Sequence, residues 1–166
     1  MSKVSRIIRH AIASPMTLRR LLPKAAMQRI EEEIAKSEKS HSGEIRFAVE
    51  VDLDAGQILR GVTARKRAID TFSQLRIWDT EENTGVLVYL LLADRQLEIV
   101  ADRGIHKKVG DDTWSNIARQ MEKQFAEGDF EGGVLAGIRS ITALLTKHFP
   151  ASSTNQNELS NKPVVM

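Results

Sequence analysis

The sequence predicts an α/β fold: a small mixed β-sheet with helices on both faces, an α/β/α sandwich. Three observations carry this. Residues 44–51, EIRFAVEV, alternate strictly, with Ile45, Phe47, Val49 and Val51 on one face. Residues 85–93, GVLVYLLLA, form a continuous apolar run, the pattern of a central strand covered on both faces. Around these strands, apolar residues recur at helical spacing.

The elements follow in chain order. Met27, Ile30 and Ile34, with charges between them, predict a helix over 24–38 that Ser40-His41-Ser42-Gly43 ends. The first strand comes next, with one well-buried face. Ile58, Val62, Ile69, Phe72 and Leu75 then predict a long helical stretch with Arg65, Lys66 and Arg67 turned outward. Strand, helix and strand make a right-handed crossover, so the first two strands run parallel. LEIVAD alternates again and predicts a third strand, joined to the second by a tight turn at Asp94-Arg95. Asp111-Asp112-Thr113 reads as the cap of a helix carrying Trp114, Ile117, Ala118, Met121 and Phe125. After Gly128-Asp129, a last helix with Val134, Ile138, Ile141 and Leu145 stops before Pro150.

The chain has 166 residues, 42% apolar and 28% charged, which fits one globular domain. It contains no cysteine, which excludes disulfides, thiol catalysis and cysteine-ligated metal centres. No apolar run approaches the roughly 18 residues needed to cross a bilayer. Net charge is +2, but residues 1–30 hold seven Lys or Arg and no acid, leaving 17 bases against 22 acids beyond them. An acidic globule carries a basic leader. The expected organisation is a basic amphipathic leader over 1–22, an α/β domain over 23–150, and a disordered tail over 151–166, polar after a proline.

In the leader, Val4, Ile7, Ile8, Ala11 and Ile12 fall at helical spacing with arginines between them, a face and not the continuous block of a secretory signal. Such a helix suits an anionic membrane surface, a membrane-protein partner, a transit peptide, or its own domain. The sequence leaves these open, and it leaves the oligomeric state open. Nucleic acid is not expected, because the two tryptophans and one tyrosine lie far from the leader and the globule is acidic.

The tripeptide Ala-Asp-Arg occurs at 93–95 and again at 101–103. A strand rising about 3.3 Å per residue puts Asp94 and Asp102 roughly 26 Å apart, so the copies sit at opposite ends of the sheet and cannot build one site. The Asp94 end also receives Asp52 and Asp54. There VDLDAG resembles the start of two motifs and fails both: Gly56 stands where an aspartate-nucleophile phosphatase needs a hydroxyl, and Thr63 where a calcium loop needs glutamate. The other end gathers His41, Glu44, the loop Asp79-Thr80-Glu81-Glu82-Asn83, Asp102, Arg103 and His106. Carboxylates, an amide and imidazoles suit a hard divalent cation such as calcium or magnesium, or a phosphate held by Arg103 beside a metal. Gly85 and Gly104 would let backbone approach a ligand closely.

Five stretches in order closely resemble the TPM-domain family: GEIRFAVE, WDTEENTGVLVYLLLADR, EIVADRGIHKKVG, GDFEGGVLAGI and HFP, within about residues 24–150. The match is closest to short bacterial members without signal peptide or membrane anchor. The resemblance implies an α/β/α sandwich. It also makes family features of Asp79, Asn83 and Gly85 before the central strand, of Asp102, Gly104 and His106 after the hairpin, and of the turn Gly128-Asp129-Phe130. Some members are described as acid phosphatases or bind calcium, and others are accessory proteins of membrane complexes. The candidate metal ligands are therefore Asp79, Asn83, Asp102 and His106, with His41, Glu44, Arg103, Gly85 and Gly104 as further ligand-binding candidates. The basic leader departs from the Asp-containing segment of many secreted members. The expectation is a cytoplasmic accessory module, peripheral to a membrane or membrane protein through residues 1–22. The alternative is a metal-dependent phosphomonoesterase using a metal-activated water.

Overall fold

The two strongest hydrophobic runs form the centre of the sheet. β1 (Glu44–Glu50) and β2 (Gly85–Leu91) run parallel in register from Glu44 opposite Gly85 to Glu50 opposite Leu91. β3 (Gln96–Ala101) returns antiparallel along β2, and β4 (Val164–Val165) lies parallel on the far side of β1. A computed structural model describes residues 2–152 and 157–166, and among them the strand order is β3-β2-β1-β4.

Helices cover both faces. They are α1 (Lys3–Ile12), α2 (Pro15–Leu21), α3 (Lys24–Ser37), α4 (Ala55–Leu59), α5 (Ala64–Gln74), α6 (Arg103–Val109), α7 (Asp111–Ala126) and α8 (Phe130–His148). On one face Ile45, Phe47, Val49, Val86, Val88 and Leu90 pack with Ile30 and Ile34 of α3, Met121 and Phe125 of α7 and Ile138 of α8. On the other, Ala48, Leu87, Tyr89 and Leu91 meet Ile58, Ala64, Ala68 and Ile77. Period-2 alternation divides each strand between the two cores. This is an α/β/α sandwich.

Several elements depart from the sequence expectation. All seven residues of β1 are buried, including Arg46 and Glu50. The polar face of β1 is covered because Glu50 has partners: Arg67 donates to its two oxygens at 2.9 and 2.8 Å, and the Tyr89 hydroxyl donates to Oε2. Arg67 thus points inward, against the expectation. The long helical stretch is two helices, broken at Gly61 (φ 74°) and restarted by Thr63, whose hydroxyl accepts the Lys66 amide. α5 packs through Ala64, Ala68 and Thr71 and leaves Ile69 exposed, since small residues allow the close approach that Ile69 would block. α7 begins at Asp111 itself after Gly110 (φ 82°), so both aspartates sit in its first turn, where the helix dipole favours them. Between α7 and α8, Gly128 has φ 89°, the Asp129 carboxylate accepts the Gly132 amide at 2.8 Å, and Phe130 stacks on Phe125 at 4.8 Å.

The two chain ends also differ. The leader is two helices, interrupted at Ser14-Pro15 with Ser14 capping α2, and Leu18 and Leu22 reach the core. The tail expected to be disordered is ordered over 157–166. Val51 donates to the Met166 carbonyl at 3.1 Å and Met166 donates to Val49 at 2.9 Å, so the closing PVVM covers the edge of β1. Its apolar, β-branched residues suit an otherwise unpaired strand edge. Residues 153–156 of the expected tail lie outside the described residues.

Candidate functional site

The sheet offers two ends, each closed by one Ala-Asp-Arg copy. At the far end, the loop before β2 and the turn after β3 meet. Asn83 adopts φ 54°, a left-handed conformation asparagine tolerates, and its carbonyl accepts the Gly104 amide at 3.0 Å. A Cβ on Gly104 would lie 2.5 Å from the carbonyl oxygens of Glu82 and Asn83, so only glycine permits this crossing. Asp102 donates its amide to the Gly85 carbonyl at 2.8 Å, and its Oδ1 accepts the Arg103 amide at 2.6 Å. Arg103 Nε reaches Asn83 Oδ1 at 3.3 Å. Asp102 Oδ2 is buried and has no hydrogen-bond partner among the described residues.

Asn83, Asp102, Arg103 and Gly104 therefore come together, but the other candidates have separate engagements. Asp79 pairs with Arg76 at 2.7 Å on the surface. His106 points toward Asp111, at 3.6 Å. Among the described residues no three His, Cys, Asp or Glu side chains are grouped to hold a metal ion. Gly85 admits the Ile77 carbonyl, 2.1 Å from where a Cβ would stand, so its close approach is to the chain's own backbone.

His41 and Glu44 belong to a different arrangement: the clasp that holds the C-terminal segment. His41 is fully buried with Nδ1 2.9 Å from the Gly43 carbonyl, and burial lowers its pKa to about 4. Glu44 accepts the amides of Glu158 and Leu159 at 2.9 and 3.2 Å. Beside it stand Glu38 and Arg46, neither of which sequence reasoning singled out. Burial, then the neighbouring Glu44 charge, lifts Glu38 to about 8. Burial also raises Glu44, and it lowers the Arg46 guanidinium. Burial makes both acids resist ionisation, and the Glu44 charge adds to that at Glu38. The signal available in the sequence was the EIR of β1, in which charged residues interrupt a buried strand.

At the near end, Asp94 is the anchor of the leader. Its side chain is only 4% exposed and is held by Arg6 at 2.8 Å, by Arg9, and by His10 Nε2 at 3.1 Å. His10 Nδ1 accepts the Leu53 amide at 2.8 Å, so the ring proton sits on Nε2, facing Asp94. Burial alone would raise the Asp94 pKa; the Arg6 hydrogen bond and charge, with the His10 ring beside them, outweigh it and hold it below the ordinary carboxylate range. α1 thus docks through its charged face. Its apolar face, Val4, Ile8 and Ile12, is 66%, 57% and 74% exposed, and Met16 of α2 is 76% exposed. Among the described residues Asp52 and Asp54 make no hydrogen bond or ion pair to this cluster, and Asp54 instead caps α4.

The described helices include none long and apolar enough to cross a membrane. No curated protein matches the sequence. Among solved structures, the chain is similar to the NMR structure of BA42 protein from the psychrophilic bacterium Bizionia argentinensis. That match has 30% identity and a TM-score of 0.76, covering 86% of this chain and 93% of that one. The family profile for the TPM domain matches residues 17–144, from within α2 to the last turns of α8. That span includes β1, β2 and β3 and most of both cores, and the chain belongs to the TPM-domain family.

Proposed function

We propose that this TPM-domain protein is a peripheral accessory module that docks on an anionic membrane surface through α1 and the start of α2. One observation carries the reading. An amphipathic helix packed on its own domain normally buries its apolar stripe, whereas α1 spends Arg6, Arg9 and His10 on Asp94 and turns Val4, Ile8 and Ile12 to solvent. Exposed apolar residues contiguous along a helix mark an interaction surface. Lys3, Arg19 and Arg20 are exposed on the same two helices, and each base near an anionic leaflet contributes about 1 kcal/mol. The apolar side chains would enter the boundary between headgroups and acyl chains.

Co-sedimentation with vesicles tests this. The full chain should pellet with phosphatidylserine-containing vesicles and remain in solution with phosphatidylcholine alone. Ile8→Glu with Ile12→Glu, both at exposed positions, should abolish pelleting and leave the melting temperature unchanged. No pelleting of the unaltered chain with anionic vesicles would sink the reading.

A second reading, a cation at the far end, is supported by Asp102 Oδ2, which has no hydrogen-bond partner among the described residues, at the turn where Arg103 reaches the Asn83 side chain. Calcium or magnesium at about 100 times its dissociation constant would stabilise the fold by about 2.7 kcal/mol. Thermal unfolding with each metal, against a chelator and against Asp102→Asn, decides it. Phosphatase activity through a metal-activated water rests on that same cation, and a phosphomonoester assay is informative only where the metal raises the melting temperature.

A further inference from the structure

A groove of about 630 Å³ runs beside β3, the edge strand that among the described residues pairs only with β2. Arg65 of α5 forms one wall, and Trp114, Ser115, Ala118 and Glu122 of α7 form the other. Two backbone groups of β3 identify what the edge presents. The Leu97 amide donates to Glu122 Oε1 at 3.1 Å, and the Ile99 carbonyl accepts from Arg65 Nη1 at 2.8 Å. Each residue of an antiparallel strand aims its N–H and C=O to the same side, so the Leu97 carbonyl and the Ile99 amide also face outward from β2.

The side chains stand in for a strand. A carboxylate oxygen occupies the place of a neighbouring carbonyl, and a guanidinium N–H the place of a neighbouring amide. They are two residues apart, the repeat of a β ladder. A third observation is independent of the edge. Trp114 lines this groove, is only 5% exposed, and its indole N–H has no hydrogen-bond partner among the described residues. A buried donor without an acceptor is destabilising, and an incoming carbonyl would satisfy it.

We propose that this groove binds an extended segment of a partner protein, which adds to β3 as a further strand. Only an extended backbone supplies acceptors and donors alternating at that repeat. Its carbonyl takes the Leu97 amide from Glu122, its amide takes the Ile99 carbonyl from Arg65, and a further oxygen accepts Trp114 Nε1–H. The groove carries both signs of charge, with Arg65, Arg119 and the His106 ring against Glu98, Asp111 and Glu122, so the preferred segment has little net charge. The opposite edge of the sheet is already covered by the chain's own β4, a strand addition of the same kind. This inference is independent of the membrane reading, since α1 contributes nothing to the groove.

The test is selection from a random seven-residue displayed peptide library against the full chain, followed by amide exchange with an enriched synthetic peptide bound. The expected result is enrichment of peptides of near-zero net charge whose binding slows exchange of the Ile99 amide. Ser115→Trp, at an exposed position, fills the groove and should weaken them about ten-fold or more. Arg119→Trp, also exposed, serves the same purpose if Ser115→Trp fails to fold by circular dichroism. Three results would each overturn the proposal: no enrichment, peptides that bind the filled variants equally, or protection that appears through self-association of the chain at β3 without any peptide.

Discussion

Asp94 and Asp102 sit in identical tripeptides at the two ends of the sheet and have opposite fates. Asp94 meets two arginines and a histidine from a helix more than 80 residues earlier in the chain. Asp102 meets its own turn, one oxygen on the next amide and the other without a hydrogen-bond partner among the described residues. The near end sets its carboxylate against three basic side chains and serves as an anchor. The far end has a carboxylate oxygen to spare, and that is where a cation could be held. Local sequence decided the turn in each case, and distant sequence decided what the turn is for.

The largest effect should come from the anchor. Asp94→Ala leaves Arg6, Arg9 and His10 facing one another without a counter-charge and should cost about 3 kcal/mol in urea unfolding, as expected for breaking a buried pair. If it costs no more than Asp102→Ala, the contrast between the ends collapses. Gly104→Ala comes next. Its Cβ would press on two carbonyls and should cost about 2 kcal/mol, the scale of an overpacked site. A neutral result would mean the far-end crossing is loose and would remove the rigid frame from any site there.

Acid and base should loosen opposite parts of the molecule. Asp94 has a folded pKa below its ordinary 3.8, so its contribution is present above that value and is lost as pH falls through the lower folded one. Glu38 is the reverse. Its folded value near 8 exceeds the ordinary 4.5, so the folded chain holds a proton that the unfolded chain has lost. Its contribution is complete below 4.5 and drains away as pH rises toward 8. Between those values Glu38→Gln should remove a slope of up to about 1.4 kcal/mol per pH unit from stability. Amide exchange should show residues 157–166 opening first at pH 8 and α1 opening first below pH 4. The smallest effect is at Asp102. Asp102→Asn keeps the cap geometry and should change metal-free stability by no more than about 0.5 kcal/mol. A loss several times larger would give Asp102 a structural duty that its unpaired oxygen does not suggest.

Much of this was legible residue by residue. The alternation of Ile45, Phe47 and Val49 and the run from Val86 to Leu92 placed both parallel strands. The hairpin at Asp94-Arg95 followed from two strands with a short polar turn. The separation of the two aspartates needed only the rise of a strand. Arg67 departs from the expectation, because three consecutive bases look like a solvated face until a buried glutamate on β1 claims the last of them. His41 and Glu44 were picked from the right end of the sheet, but their partners are Gly43 and the amides of residues 158 and 159. Nothing in a polar tail announces that it will return, and the closing Val164-Val165 is too short to signal a strand.

By itself, then, the sequence determined the layers, the central strands and the family, because hydrophobic periodicity is a local property written into each element. Tertiary structure alone decided which face of α1 turns inward, which charges are paired and which backbone edge of the sheet stays open. Those outcomes depend on groups 17 to 115 residues apart meeting across the fold, and an amphipathic helix offers the same two faces whether its charges or its apolar stripe finds the partner first.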